Sequence, residues 1–202
     1  MPWTSLPLAG ILLLLLVAGI VRPLVQYARH GSFGVHAFRS GHNIRDALFL
    51  LLFIGYVAHG ISGPRRPRLV RLLVTQDGDL HSFMQPAGAA LMAAGILLLA
   101  AAQLNMGASW RIGIDEGTKP GVVSGGLYRL SRHPIYLGLL MALAGYAVMM
   151  PTALSLLLLV AAYWGLRSQT RIEEAYMLRA YGEPYRDYAR RVGCFLPWVG
   201  KL

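Results

Sequence analysis

The sequence predicts an all-helical integral membrane protein of about five transmembrane helices, with a C-terminal helical hairpin and a cytoplasmic helical tail. Three observations carry this expectation. Hydrophobic residues make up 55% of the chain and charged residues only 14%, against roughly a quarter charged in a soluble domain. The apolar residues gather in long runs, and the basic residues fall between and after those runs. A chain of 202 residues has room for a handful of spans of about 20 residues each, so a separate soluble catalytic domain is not expected.

The runs are taken in order. Leu6 to Val25 is read as a first spanning helix; no basic residue precedes it, which argues against a cleaved signal peptide. Ala47 to Ile61 and Ala87 to Leu104 supply two more helices. Ile135 to Leu166 has no charge over its whole length. As one helix of about 32 residues it would reach roughly 48 Å, well beyond a hydrocarbon core of about 30 Å. Pro151-Thr152 lies midway and offers a break and a fresh start, because proline fits a helix's first turn but not its interior. The run is therefore read as a hairpin with arms of about 16 residues each. Thr170 to Arg191 reads as a helix, a break at Tyr181-Gly182 near Pro184, and a second short helix.

Charge sets the orientation. The formal net charge is +10, but the basic residues form no single face, and no nucleic-acid module is present; positive-inside topology and anionic lipid headgroups account for them. With five spans and the N-terminus outside, fifteen Lys and Arg fall on the cytoplasmic side and four, Arg65, Arg66, Arg68 and Arg71, on the other. Those four oppose the rule locally and are read as part of an interfacial piece over Leu69 to Val74, or as a sign that the second segment does not span. The single cysteine, Cys194, excludes an intrachain disulfide and reads as an unremarked residue near the membrane surface.

Two groups of residues suggest chemistry. In Arg132-His133-Pro134-Ile135-Tyr136, Pro134 suits a first helical position, leaving His133 at the N-cap beside open helix N-terminal amides that can hold an anionic or polar ligand edge. By themselves Arg132, His133 and Tyr136 fit interfacial anchoring equally well. Beyond the hairpin, Arg167, Arg171 and Glu174 fall at i, i+4 and i+7 on one helical face, with Glu173 alongside. Carboxylates there could recognise hydroxyls or an amino group, and guanidinium a carboxylate; as surface pairs they would contribute under about 1 kcal/mol.

Together, Tyr128 to Pro197 resembles the C-terminal catalytic region of the isoprenylcysteine carboxyl methyltransferase family, related to the phospholipid methyltransferases. The resemblance rests on Arg132-His133-Pro134-x-Tyr136, an apolar hairpin, Glu173-Glu174 and Tyr181-Gly182-x-x-Tyr185-x-x-Tyr188, with Met106-Gly107-x-Ser109-Trp110-Arg111 upstream similar to prokaryotic members. Departures are Tyr181, where phenylalanine is usual, and fewer helices ahead of the catalytic region than in eukaryotic members.

The resemblance implies S-adenosylmethionine as cofactor, held at the cytoplasmic face, and a lipophilic methyl acceptor from the bilayer, foremost the carboxylate of a prenylated cysteine. It implies that Tyr128, Arg132, His133, Pro134, Tyr136, Glu173, Glu174 and Tyr185 line the cofactor site, that Arg167, Glu174 and His133 serve catalysis, and that Tyr185 and Tyr188 close the tail over the cofactor. Residues 1–104 are expected to supply membrane helices and 105–202 the catalytic region.

Displacement at a sulfonium needs alignment and exclusion of water. A carboxylate acceptor needs no general base, whereas a thiol or amine would need His133 or a glutamate. A phospholipid amine or small thiol as acceptor, an NADPH-dependent membrane reductase of the sterol reductase type, and a non-catalytic lipid-binding scaffold remain as alternatives. No metal site is expected: His30, His36 and His42 are spaced by six, unlike a helical metal pair, and Asp77-Gly78-Asp79 reads as a turn with too few carboxylates for calcium. His59 lies inside a predicted span, where function and a hydrogen-bonded structural role are equally open.

Overall fold

The computed structural model describes residues 5–34, 43–62, 78–110 and 121–201, and the description that follows is confined to them. They form six helices. Helix α1 runs Leu6–His30 with a π-helical stretch over Leu16–Val21. Helices α2 (Asn43–Ser62), α3 (Gly78–Asn105), α4 (Pro134–Met149), α5 (Ala153–Tyr181) and α6 (Glu183–Arg191) follow. The only extended pairing among these residues is one parallel bridge, Ser131 to Gly193. Leu6–His30 and Phe83–Asn105 are long and apolar enough to cross a membrane by length and composition, while the apolar stretches Ala47–Ser62 and Pro134–Met149 are shorter.

The ends of these helices follow from local chemistry. Gly31 stops α1 with φ +69°, donating its N–H to the Tyr27 carbonyl at 2.8 Å, the left-handed C-terminal cap that a side chain would strain. Pro134 opens α4 at its first turn with His133 as N-cap, as its fixed φ favours. Thr152 caps α5 in a reciprocal box: its hydroxyl accepts from the Ser155 N–H at 3.1 Å, and Ser155 Oγ accepts from the Thr152 N–H at 3.1 Å.

The hairpin turns at Pro151 as expected, but its second arm is not 16 residues long. Helix α5 continues for 29 residues to Tyr181, because Leu166 to Arg171 contains neither proline nor glycine. The expected tail helix at Thr170 is thus the C-terminal part of α5. The break at Gly182, φ +59°, and the short α6 with Pro184 in its first turn are present. Gly78 and Asp79 open α3 rather than forming a turn. Leu69 to Val74, the arginines at 65, 66, 68 and 71, and His36, His42, Asp77 and Arg111 lie outside the described residues.

Helices α3 and α4 touch backbone to backbone. A Cβ on Gly95 would lie 2.4 Å from the Ala142 nitrogen and 2.6 Å from the Gly138 carbonyl, and one on Gly145 would lie 2.5 Å from the Gly88 carbonyl. Gly88 and Gly95, like Gly138 and Gly145, are seven residues apart, so each pair falls on one helical stripe. Small residues at such spacing permit the close approach that drives helix association in lipid. Around this seam Ile11, Leu14, Tyr56, Met92, Leu99, Leu143, Tyr146 and Leu158 form the core. Leu51, Leu97, Leu157 and Trp164 point outward from their helices.

Helices consecutive in the chain run antiparallel, while α1 and α3 run side by side in the same direction, Gly10 against Met92 and Arg22 against Gly107. Gly60 meets Leu8, Gly55 meets Leu158, Gly165 meets Phe49, and Gly138 meets Leu99. This order gathers the C-terminal ends of α1, α3 and α5 and the N-terminal end of α4 at one end of the bundle, where α6 also packs.

Candidate active site

At that end the C-terminal tail lies alongside the segment entering α4. The backbone N–H groups of Arg132 and His133 donate to the carbonyls of Gly193 and Cys194 at 2.9 and 3.1 Å. Ser131 Oγ donates to the Cys194 carbonyl at 3.0 Å, and Tyr188 Oη donates to the Tyr128 carbonyl at 2.7 Å. These bonds fix where Arg132, His133 and Tyr136 project.

Arg132 is enclosed and its guanidinium is saturated by the protein. Nε and Nη2 lie 2.8 and 2.6 Å from Glu174 Oε1. Nη1 donates to the carbonyls of Ala189 and Val192 at 2.9 and 2.6 Å, and Nη2 to that of Gly200 at 2.9 Å. A planar fork of five donors suits this task and a lysine does not.

Glu174 also meets His133 Nε2 at 3.2 Å. Burial alone would push its carboxyl up, but the hydrogen bonds from His133 and Arg132, together with their charge, outweigh burial and hold it below the usual carboxylate range.

Glu173 faces differently. Its side chain is 28% exposed against 8% for Glu174. Its Oε1 accepts from Tyr136 Oη at 2.5 Å and from Gln169 Nε2 at 2.8 Å, and its Oε2 lies 3.6 Å from His133 Nδ1. The His133 and Tyr136 rings stack at 5.7 Å and 11°, and Phe195 stands edge-on to His133 at 6.3 Å. A flat aromatic pair, a half-open carboxylate and an enclosed Arg132–Glu174 ion pair make a surface whose unbalanced charge is negative.

The remaining expected site residues are placed as follows. Pro134 is buried at the first turn of α4. Tyr128 is buried with its hydroxyl 3.5 Å from the Ala102 carbonyl, and Tyr185 is buried against Tyr188, ring centres 5.9 Å apart. Burial raises the phenols of Tyr128 and Tyr185, and pushes that of Tyr188 up to about 12.

The grouping of Glu174 with Arg167 and Arg171 is corrected: Glu174 turns to Arg132, Arg171 is exposed, and Arg167 Nη1 donates to Thr170 Oγ1 at 3.3 Å and to Cys194 Sγ at 3.5 Å. A pattern confined to one helix could not foresee a partner 42 residues away.

Sequence reasoning missed Gln169, Cys194 and Phe195. Gln169 stands four residues before Glu173, a spacing that places them together on a helix. Cys194 and Phe195 reach the site only because the tail folds back. His133, Glu174 and Cys194 bring potential metal-ligand atoms within 4.8 Å of one another, and Arg132 Nε and Nη2 already bond to Glu174 Oε1. Upstream, Arg22 lies over the Trp110 ring at 4.8 Å and donates to the Gly107 carbonyl at 2.8 Å, and Gln26 donates to that of Ala108 at 3.2 Å. The Met106 to Trp110 element is thereby tied to α1.

Half the chain, residues 84–184, matches the phospholipid methyltransferase family. The protein therefore belongs to that family, whose members are methyltransferases that use S-adenosylmethionine.

The chain is 29% identical over 177 residues to the probable protein-S-isoprenylcysteine O-methyltransferase of Oryza sativa subsp. indica, covering 84% of this chain and 91% of that protein. It is 43% identical over 72 residues to the methanethiol S-methyltransferase of Mycobacterium tuberculosis, covering 36% of this chain and 29% of that one. With the protein-S-isoprenylcysteine O-methyltransferase of Saccharomyces cerevisiae it shares 32% identity over 79 residues, 39% of this chain and 33% of the relative. The chain thus matches about a third or less of the length of the bacterial and yeast relatives.

Proposed function

We propose that the protein is an integral membrane methyltransferase that binds S-adenosylmethionine against His133, Tyr136 and Glu173 and methylates a lipophilic acceptor entering from the bilayer. The carrying observation is the half-open Glu173 carboxylate beside the stacked His133–Tyr136 pair. The donor set fits the cofactor: a carboxylate and ring faces complement its sulfonium and ammonium cations, and a flat aromatic surface suits its purine. When bound, S-adenosylmethionine supplies a methyl group on a positively charged sulfur for displacement by the acceptor.

The chain's own residues do the rest. Arg132 and Glu174 hold the tail against the start of α4 and fix His133. Glu173 and Tyr136 orient the cationic head, and the tail residues Cys194 and Phe195 exclude water, which raises the value of every electrostatic contact there. Arg167, at the foot of the apolar half of α5, is assigned the acceptor's negative group, with its bonds to Thr170 and Cys194 setting its direction. A carboxylate acceptor gives up no proton. A thiol acceptor would pass its proton to His133.

Five spans with the C-terminus cytoplasmic complete the reading, supported by the alternating helix directions and the excess of basic residues at the site end. The rice relative, matched over nine-tenths of its length, favours a prenylated-cysteine carboxylate. The higher identity over 72 residues to a methanethiol methyltransferase supports a small thiol as the second reading.

Titration of detergent-purified protein with S-adenosylmethionine and with NADPH tests the cofactor, and methyl transfer to a farnesylated cysteine or to methanethiol tests the acceptor. Saturable S-adenosylmethionine binding weakened by His133→Ala is expected. Binding of NADPH alone would overturn the reading.

A further inference from the structure

After α6 the chain closes a short hook. Cys194 N–H donates to the Val199 carbonyl at 2.8 Å and Val199 N–H to that of Leu196 at 3.2 Å, which leaves Leu196, Pro197 and Trp198 at the tip. Trp198 has φ +64°, the only positive value at a non-glycine among the described residues. For a bulky L-residue that conformation costs roughly 1–2 kcal/mol. It presents the indole outward, 77% exposed, beside exposed Leu196 and Val199. An apolar tip held in a strained turn and offered to water is unfavourable unless something apolar receives it.

Three observations identify the receiver. The first is depth: Phe195 packs on Tyr163 with ring centres 6.3 Å apart, Tyr163 on Trp164 at 5.7 Å, and Cys194 Sγ accepts from Arg167. The hook therefore meets α5 where its apolar run gives way to arginine, the level of a membrane–water boundary, and is continuous with the outward-facing Leu157, Val160 and Trp164. The second is charge: exposed Arg190, Arg191 and Lys201 flank the tip and Arg129 is exposed on the adjoining segment, matching anionic headgroups. The third is residue type: tryptophan with leucine and valine beside cationic residues is the composition of interfacial anchors.

We propose that residues 194–200 form a bilayer anchor, with Leu196, Trp198 and Val199 seated at the headgroup–acyl boundary of the leaflet facing the site. The hook's carbonyls take the His133 N–H and the Ser131 hydroxyl at Cys194 and the Arg132 guanidinium at Gly200, and Gly193 just before it takes the Arg132 N–H. Seating the hook in lipid therefore also seats His133. The inference rests on the membrane placement of the site end and not on the cofactor, so its optical readout survives failure of the methyltransferase reading.

The test uses the full chain in lipid nanodiscs and records the tryptophan emission of wild type minus that of Trp198→Phe. In discs containing acyl-brominated phosphatidylcholine most of this difference emission is expected to be lost, while aqueous iodide leaves it nearly unchanged. Quenching by iodide without quenching by brominated lipid would overturn the proposal. Shielding from both would also overturn it, in favour of a second copy of the chain covering the hook.

Discussion

Helix α4 ends in two buried polar clusters of opposite design. At its C-terminal end His59 Nδ1 lies 2.5 Å from Tyr146 Oη and Nε2 2.8 Å from Thr152 Oγ1. Tyr146 Oη also lies 3.3 Å from the Tyr56 carbonyl, Ser155 Oγ donates to the Met150 carbonyl at 2.6 Å, and Gln85 Nε2 donates to that of Met149 at 2.7 Å. None of these partners is an aspartate, glutamate, lysine or arginine, and each of the residues named is buried or nearly so. At the N-terminal end, about 24 Å away along 16 residues of helix, the partners are Arg132, His133, Glu173 and Glu174, and Glu173 stays half-open.

The difference teaches what each cluster does. A buried network of hydroxyl, amide and imidazole groups pairs polar atoms that lipid could not and ties α2 to the α4–α5 turn. A charged network closed on one side and open on the other can receive a ligand.

Four measurements test this contrast. The largest effect is expected from Arg132→Ala, which strands the buried Glu174 charge and three carbonyls. A loss of about 3–5 kcal/mol should appear as a sharply lowered melting temperature in detergent, and Arg132→Lys should recover little of it. A wild-type melt would mean that this end is not clamped through Arg132.

His59→Leu should cost about 1–3 kcal/mol by breaking the hydrogen bonds of Tyr146 and Thr152, with S-adenosylmethionine affinity unchanged by calorimetry. Weakened cofactor binding would show that the far cluster communicates with the site. Glu173→Gln should do the reverse, lowering S-adenosylmethionine affinity about tenfold, roughly 1.4 kcal/mol, with stability lowered by no more than about 1 kcal/mol because the amide oxygen still accepts from Tyr136 and Gln169.

The smallest effect concerns acid. Because the folded state lowers the Glu174 carboxyl below its ordinary value of 4.5, the stability this group contributes is fully present above that value and is lost as pH falls through the lower folded one. Melting followed from pH 6 downward should show this loss in wild type, with a flatter slope in Glu174→Gln, whose melting is lower at neutral pH. Equal slopes would remove Glu174 from the acid response.

Much of the molecule was legible in the chain. Pro134 with His133 as its N-cap, the turn at Pro151-Thr152, and the break at Gly182 follow from the conformations open to proline and glycine, which act over a few residues. The motif residues His133, Tyr136, Glu173 and Glu174 were marked by residue type and spacing, and they do converge. The length of α5 was misjudged because no local signal separates a membrane arm from a tail helix that continues it.

Other features depended on contacts across long separations. The stripe of Gly88 and Gly95 against Gly138 and Gly145 has a readable spacing, but only packing decides that the two stripes face each other. Which glutamate is enclosed and which is open was undecidable from adjacent identical residues, since one step along a helix turns a side chain by about 100°. Arg132 read in the sequence as a ligand contact or an interfacial anchor, and not as a clamp; its partners Glu174, Ala189, Val192 and Gly200 lie 42 to 68 residues away. From the chain alone came the helical class, the apolar runs and the breaks at Pro134, Pro151 and Gly182, because propensity, capping and hydropathy are local quantities. Tertiary structure alone decided the sharing of hydrogen bonds and charge between distant segments, because that depends on which groups reach one another once water is excluded.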